Sequence, residues 1–174
     1  MRRTFLLGLL GLVGLGWTAA AGMAATKVTV SETHLCCGQC LKGVEAALKE
    51  VKGVSHTSSQ EAKTIEITAD SDPAAQKAID ALAKAGFYGK VNSTAVKYPA
   101  VSVPTGAAEK VEVTGVHNCC GACTSAIKKA VSSVNGVTGN TVKNKEGSFT
   151  VSGKFEPREL LEALLKAGFY AEIK

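Results

Sequence analysis

An α+β fold built of two βαββαβ units in tandem is what this sequence predicts, and three observations predict it. The segment His34-Leu-Cys-Cys-Gly-Gln-Cys40 recurs 83 residues later as His117-Asn-Cys-Cys-Gly-Ala-Cys123, and Lys84-Ala-Gly-Phe-Tyr88 recurs as Lys166-Ala-Gly-Phe-Tyr170, so one unit is present twice. Within each copy the hydrophobic period switches between 2 and 3.6 in the same order. A chain of 174 residues has room for two such units of about 66 residues each, at 26–91 and 109–174. The stretch 92–108 between them carries Pro99, Pro104 and Gly106 and almost no charge, which reads as a linker. Its Val96, Tyr98, Val101 and Val103 are apolar enough to lie on a domain surface, so it is not a purely flexible tether.

The elements follow in order. Val28 and Val30 alternate with polar residues as in a half-buried strand. Cys40, Val44, Ala47, Leu48 and Val51 then recur at helical spacing up to Gly53, a natural C-terminal stop. Val54 to Gln60 and Thr64 to Ala69 form a hairpin with Ile65 and Ile67 on one face. Pro73 opens a second helix whose apolar stripe is Ile79, Leu82 and Ala83. Phe87 to Val91 closes the unit as a last short strand. The second copy repeats the plan with Val111 and Val113; Cys123, Ile127, Ala130, Val131 and Val134 up to Gly136; Phe149 and Val151; Pro157 with Leu161, Leu164 and Leu165; and Phe169 to Ile173. This order is the split βαβ or ferredoxin-like plan, two helices covering one face of an antiparallel sheet. Gly53, Gly86, Gly136 and Gly168 read as backbone punctuation. Phe87, Tyr88, Phe169 and Tyr170 read as core or lip residues, with a place beside the cysteine loop as the alternative.

Residues 1–25 read as a signal peptide. Arg2 and Arg3 form a basic start, Phe5 to Trp17 is apolar, and Thr18 to Ala25 supplies small residues with Ala-x-Ala-like cleavage options. Thirteen apolar residues are too few to span about 30 Å of hydrocarbon as a helix, so the mature chain is not expected to span a membrane. The protein is expected in the periplasm or secreted, by the general or the twin-arginine route.

Composition removes other classes. Net charge is +5, two of those charges are Arg2 and Arg3, and aromatics make up 5%; neither basic patch nor stacking platform for nucleic acid is present. No Ser-His-Asp set, phosphate-cradling glycine loop or spaced carboxylate pair is visible, which speaks against an enzyme. The excess lies in cysteine. All six fall in two clusters, Cys36, Cys37, Cys40 and Cys119, Cys120, Cys123, whereas a disulfide framework would spread them.

In each unit two cysteines are expected on the loop after the first strand and the third in the first helical turn. Unpaired N–H groups and the positive helix end favour thiolate there. Two thiolates three residues apart close on one soft ion, selecting Cu(I), Zn(II) and similar metals over Mg(II) or Ca(II).

Each unit resembles the heavy-metal-associated domain of small copper chaperones, metal-pumping ATPases and periplasmic mercury-binding proteins, whose loop reads Gly-Met-Thr-Cys-x-x-Cys. The resemblance implies Cys37 with Cys40, and Cys120 with Cys123, as metal thiolates. In this chain Cys36 and Cys119 replace the family's Thr, His34 and His117 replace its Gly, and its buried Met becomes Leu35 and Asn118. A third thiolate from Cys36 or Cys119 would give trigonal Cu(I) or Hg(II); three cysteines with His34 or His117 would suit tetrahedral Zn(II). Cys36 and Cys119 as packed thiols, and the histidines as scaffold, stand beside those readings.

The expectation is one metal site per unit, Cu(I) first with Zn(II) or Hg(II) as alternatives, and a metal-transporting or metal-accepting protein as partner. A buffering module that stores metal across two domains is a second reading. A thiol-disulfide oxidoreductase is a third, since Cys-Gly-x-Cys is similar to the thioredoxin-type site; no Trp precedes the motif, and the order of elements is not that fold's.

Overall fold

The computed structural model describes residues 25–174; the leader expected at 1–25 lies, but for its last residue, outside the described residues. Each unit is built on one four-stranded antiparallel sheet. In the first, β1 (Thr26–Ser31), α1 (Gly38–Leu48), β2 (Val54–Ser59), β3 (Thr64–Ala69), α2 (Asp72–Lys84) and β4 (Lys90–Val91) follow in sequence, with strand order β2-β3-β1-β4. The second repeats this with β5 (Ala108–Thr114), α3 (Gly121–Ser132), β6 (Val137–Asn140), β7 (Phe149–Phe155), α4 (Pro157–Lys166) and β8 (Glu172–Ile173), in the order β6-β7-β5-β8. The ferredoxin-like plan is therefore present twice. None of the helices among the described residues is long and apolar enough to cross a membrane.

The pleat explains the register. Val28 pairs with Ile67 and Val30 with Ile65; all four are buried, because residues two apart share the face that the helices cover. Val44 and Leu48 of α1 and Ile79 and Leu82 of α2 close that core, and Ile127, Val131, Leu160 and Leu164 do the same over Val111, Val113, Phe149 and Val151. Ser71 caps α2 by accepting a hydrogen bond from the Ala74 N–H at 3.4 Å, followed by Pro73 in the first turn, the arrangement in which a missing proline N–H costs nothing.

Phe87 to Val91 and Phe169 to Ile173 do not form closing strands along their whole length; only Lys90–Val91 and Glu172–Ile173 pair with β1 and β5. The preceding residues leave their own sheet and pair with each other. Phe87 and Phe169 form an antiparallel bridge between the units, with Tyr88 N–H donating to the Gly168 carbonyl at 3.2 Å and Tyr170 N–H to the Gly86 carbonyl at 3.0 Å. The two units thus meet end to end about an approximate two-fold axis.

The linker straps that junction. Gln76 holds Lys97 by both backbone groups, at 2.8 and 3.0 Å; Val96 is buried; and Tyr98 lies between Tyr88 and Tyr170, with ring centroids 4.7 and 6.1 Å away. The Tyr98 hydroxyl is buried without a hydrogen-bond partner. Tyr98→Ala is therefore expected to cost about 3 kcal/mol, while Tyr98→Phe should be neutral or stabilising because it removes an unsatisfied polar atom. Urea unfolding of both variants checks this.

Candidate metal centre

The site is made by the loops that enter α1 and α3. Cys37 and Cys120 are the N-cap residues of these helices, both extended and without a side-chain capping bond, so their sulfurs stay free to face the junction. Cys40 and Cys123 follow one turn later and are buried at 0% exposure. Cys36 and Cys119 precede the caps, half-buried. The loops are pinned from behind: Gln60 donates to the Cys36 carbonyl at 3.1 Å, Thr33 N–H to Lys63 at 3.1 Å, and Val116 N–H to Gly147 at 3.0 Å.

The end-to-end junction brings the two cysteine clusters into one. Cys36 Sγ lies 3.6 Å from Cys40 in its own unit, and 3.5 Å from both Cys120 and Cys123 of the other. Cys40 reaches Cys119 at 3.6 Å and Cys123 at 3.8 Å; Cys37 reaches Cys120 at 3.8 Å. Cys123 also touches Cys119 and Cys120, at 3.7 Å each. All six are free thiols, since a disulfide would bring a pair to about 2.05 Å. The expectation of two spatially separate sites is not what the fold builds, because the Ala-Gly-Phe-Tyr segments dock the units with their loops face to face.

Both histidines line the same centre. His34 packs on Phe169 with centroids 4.5 Å apart, and His117 stacks on Phe87 at 4.1 Å, each imidazole seated on the other unit's phenylalanine. The Nε2 atoms of both are buried without a hydrogen-bond partner. Four donor groups result, each with its ligand atoms within 4.8 Å of one another: Cys40, His117, Cys119 and Cys123; His34, Cys36 and Cys123; Cys36, Cys37 and Cys40; and Cys37, Cys119 and Cys120.

Electrostatics at the centre is uneven. Cys120 is lowered to about 6, chiefly by the backbone N–H of Cys123 in the first turn of α3. Cys40 is held well below the ordinary thiol range by the hydrogen bond from Cys123, which is itself pushed up by holding that proton. Burial raises Cys36, and pushes Cys119 up to about 12. The metal-free cluster thus pairs thiolates with neighbouring thiols. Burial also lowers His34, keeping its imidazole neutral with a lone pair available as a donor.

Two clefts flank the cluster, of about 350 Å³ beside His34, Cys36, Lys63 and Lys166, and about 390 Å³ beside His117, Cys119, Lys84 and Lys145. Of the family's departures, Leu35 is core at 2% exposure. Asn118 is buried too, but all its polar capacity is used: its amide donates to the Lys143 and Glu146 carbonyls at 2.8 and 2.9 Å and accepts from Thr124 at 2.9 Å. The roles of Gly86 and Gly168 at the junction escaped the sequence reading. Their signal was there in the Lys-Ala-Gly-Phe-Tyr run, repeated without change while most of the unit diverged.

Residues 108–170 match the family profile of the heavy-metal-associated domain, which supports heavy-metal binding through cysteines. The chain is also similar to the solution structure of the N-terminal soluble domains of Bacillus subtilis CopA, at 22% identity over 87% of this chain and 95% of that one, with a TM-score of 0.30.

Proposed function

We propose that this is an exported metal-binding protein that takes up soft ions, Cu(I) first, through cysteine thiolates and buffers them or hands them on. The observation that carries this reading is the convergence of six free thiols from two repeated loops on one spot. Thiolates are soft ligands, and a cluster of them selects Cu(I) and other thiophilic ions over hard cations. Helix N-termini favour thiolate over thiol, and a neutral His34 imidazole keeps a lone pair free for a metal. The basic start, apolar run and small-residue end of residues 1–25 support export. In an oxidising compartment six touching thiols would oxidise unless a metal held them, which ties the chemistry to the location. The lysine-lined clefts on either side give a metal-accepting partner a route to Cys36 and Cys119.

The test sets metal retention against redox catalysis. Protein purified reduced and without oxygen is expected to hold Cu(I) against a chromogenic chelator, while the same protein first oxidised with glutathione disulfide and freed of excess oxidant passes its disulfides to a reduced, disulfide-dependent substrate no faster than free cystine does. Efficient substrate oxidation with no Cu(I) retention would overturn the carrier reading in favour of an oxidoreductase.

A further inference from the structure

We propose that the six thiols form one polynuclear Cu(I)–thiolate site shared by the two units, with bridging sulfurs and the imidazoles of His34 and His117 at its flanks. The inference rests on the metal-binding reading and deepens it.

Sharing of donors is the first argument. Of the four donor groups, only Cys36, Cys37 and Cys40 come from a single unit; the other three mix residues of both. Cys36, Cys37, Cys40, Cys119 and Cys123 each belong to two groups. A sulfur that belongs to two groups binds two ions at once only by bridging, which thiolate does readily because it keeps several lone pairs after deprotonation.

Spacing is the second. With metal–sulfur bonds of about 2.3 Å, sulfurs around one ion lie about 3.8 Å apart in a tetrahedral site, about 4.0 Å in a trigonal one and about 4.6 Å in a linear one. The cross-unit separations of 3.5 to 3.8 Å match the higher coordination numbers. The Cys120–Cys123 separation of 3.7 Å within the second unit is likewise short for a linear ion. Five sulfurs that each bridge two ions, with Cys120 bound to one and an imidazole on either side, suffice for about four three-coordinate ions. Six thiols lose six protons in the process, and four Cu(I) leave a small net negative charge facing the N-termini of α1 and α3.

The orphaned imidazole nitrogens are an independent third observation. His34 Nε2 and His117 Nε2 are buried with no partner, a costly state for a polar atom, yet both rings are held in place by a phenylalanine of the opposite unit. Each ring places a nitrogen in a donor group that spans the junction. Ligation through Nε2 at the cluster's flanks would account for both features.

Anaerobic Cu(I) titration of the full reduced chain, followed by X-ray absorption, tests the proposal. The expected result is cooperative uptake of about four ions with a metal–metal scattering signal. Two ions bound independently, without that signal, would overturn the shared cluster and leave the metal-binding reading intact; no retained metal at all would remove both. Two wedge variants keep all six cysteines. In Gly86→Ala with Gly168→Ala the new methyls would meet His117 N at 2.1 Å and His34 N at 2.4 Å. Both positions have positive φ, so Gly43→Leu serves as a second wedge that favours α1 while crowding His117 Cε1, 2.8 Å from the added Cβ. With circular dichroism unchanged, either wedge should cut capacity from about four ions to two and abolish the metal–metal signal. A wedge variant that keeps both would overturn sharing across the junction.

Discussion

Cys123→Ser is expected to weaken Cu(I) retention by roughly 100-fold or more in chelator competition, and in both halves of the site at once. Cys123 is the hub of the cluster: its sulfur touches Cys36, Cys40, Cys119 and Cys120, two of them in the other unit. Serine is nearly isosteric, so the buried position at the start of α3 stays filled, but a hydroxyl is a hard donor that a soft ion disfavours. The serine hydroxyl still donates to the Cys40 thiolate as Cys123 does, so the loss is that of a soft ligand and not of the neighbouring charge. Cys37→Ser provides the comparison, since Cys37 makes one sulfur–sulfur hydrogen bond, to Cys120 at 3.8 Å, where Cys123 makes four; its effect should be at least tenfold smaller. A Cys123→Ser protein that lost half its capacity and held the rest at full affinity would show that the units bind metal independently.

Most of the fold was legible because local rules and tertiary packing agree along this chain. Val28 and Val30, Ile65 and Ile67, and the stripes of α1 and α2 follow the periods of their elements with little conflict, and Pro73 and Pro157 mark helix starts. The grouping of the cysteines at the entry to α1 and α3 was legible from their spacing. What sequence could not show was the meeting of the two loops, because periodicity describes how a unit packs on itself and is silent on how units dock. The docking depends on Gly86 and Gly168, where absence of a side chain lets the opposite loop approach. Glycine at a helix end already has a local explanation as a C-terminal stop, which hid the second role. The closing strands were overextended for the same reason: Phe87 and Phe169 have β-favouring side chains, and their partner strand lies in the other unit. Asn118 stands where the family has a buried Met, and its role was not legible because the carbonyls it binds, those of Lys143 and Glu146, lie 25 and 28 residues away.

Phe169→Ala is expected to combine the largest loss of stability with a loss of metal affinity, and Phe169→Leu to separate the two. The ring is 1% exposed, so truncation leaves a cavity and should cost about 3 to 5 kcal/mol. Leucine refills most of that volume and should recover all but about 1 kcal/mol. Neither residue offers an aromatic face to His34, whose imidazole now rests 4.5 Å from the Phe169 centroid. His34 would then sample other rotamers, and ordering it on a bound ion would carry an entropic cost. Urea unfolding of the metal-free proteins reads the first effect, and Cu(I) chelator competition reads the second. Phe169→Leu should therefore be nearly as stable as the parent yet several-fold weaker in metal retention, with Phe169→Tyr restoring retention because its ring still supports His34. If Phe169→Leu matched the parent in both measurements, His34 would owe nothing to the stacked ring, and its burial at the junction would be scaffold alone.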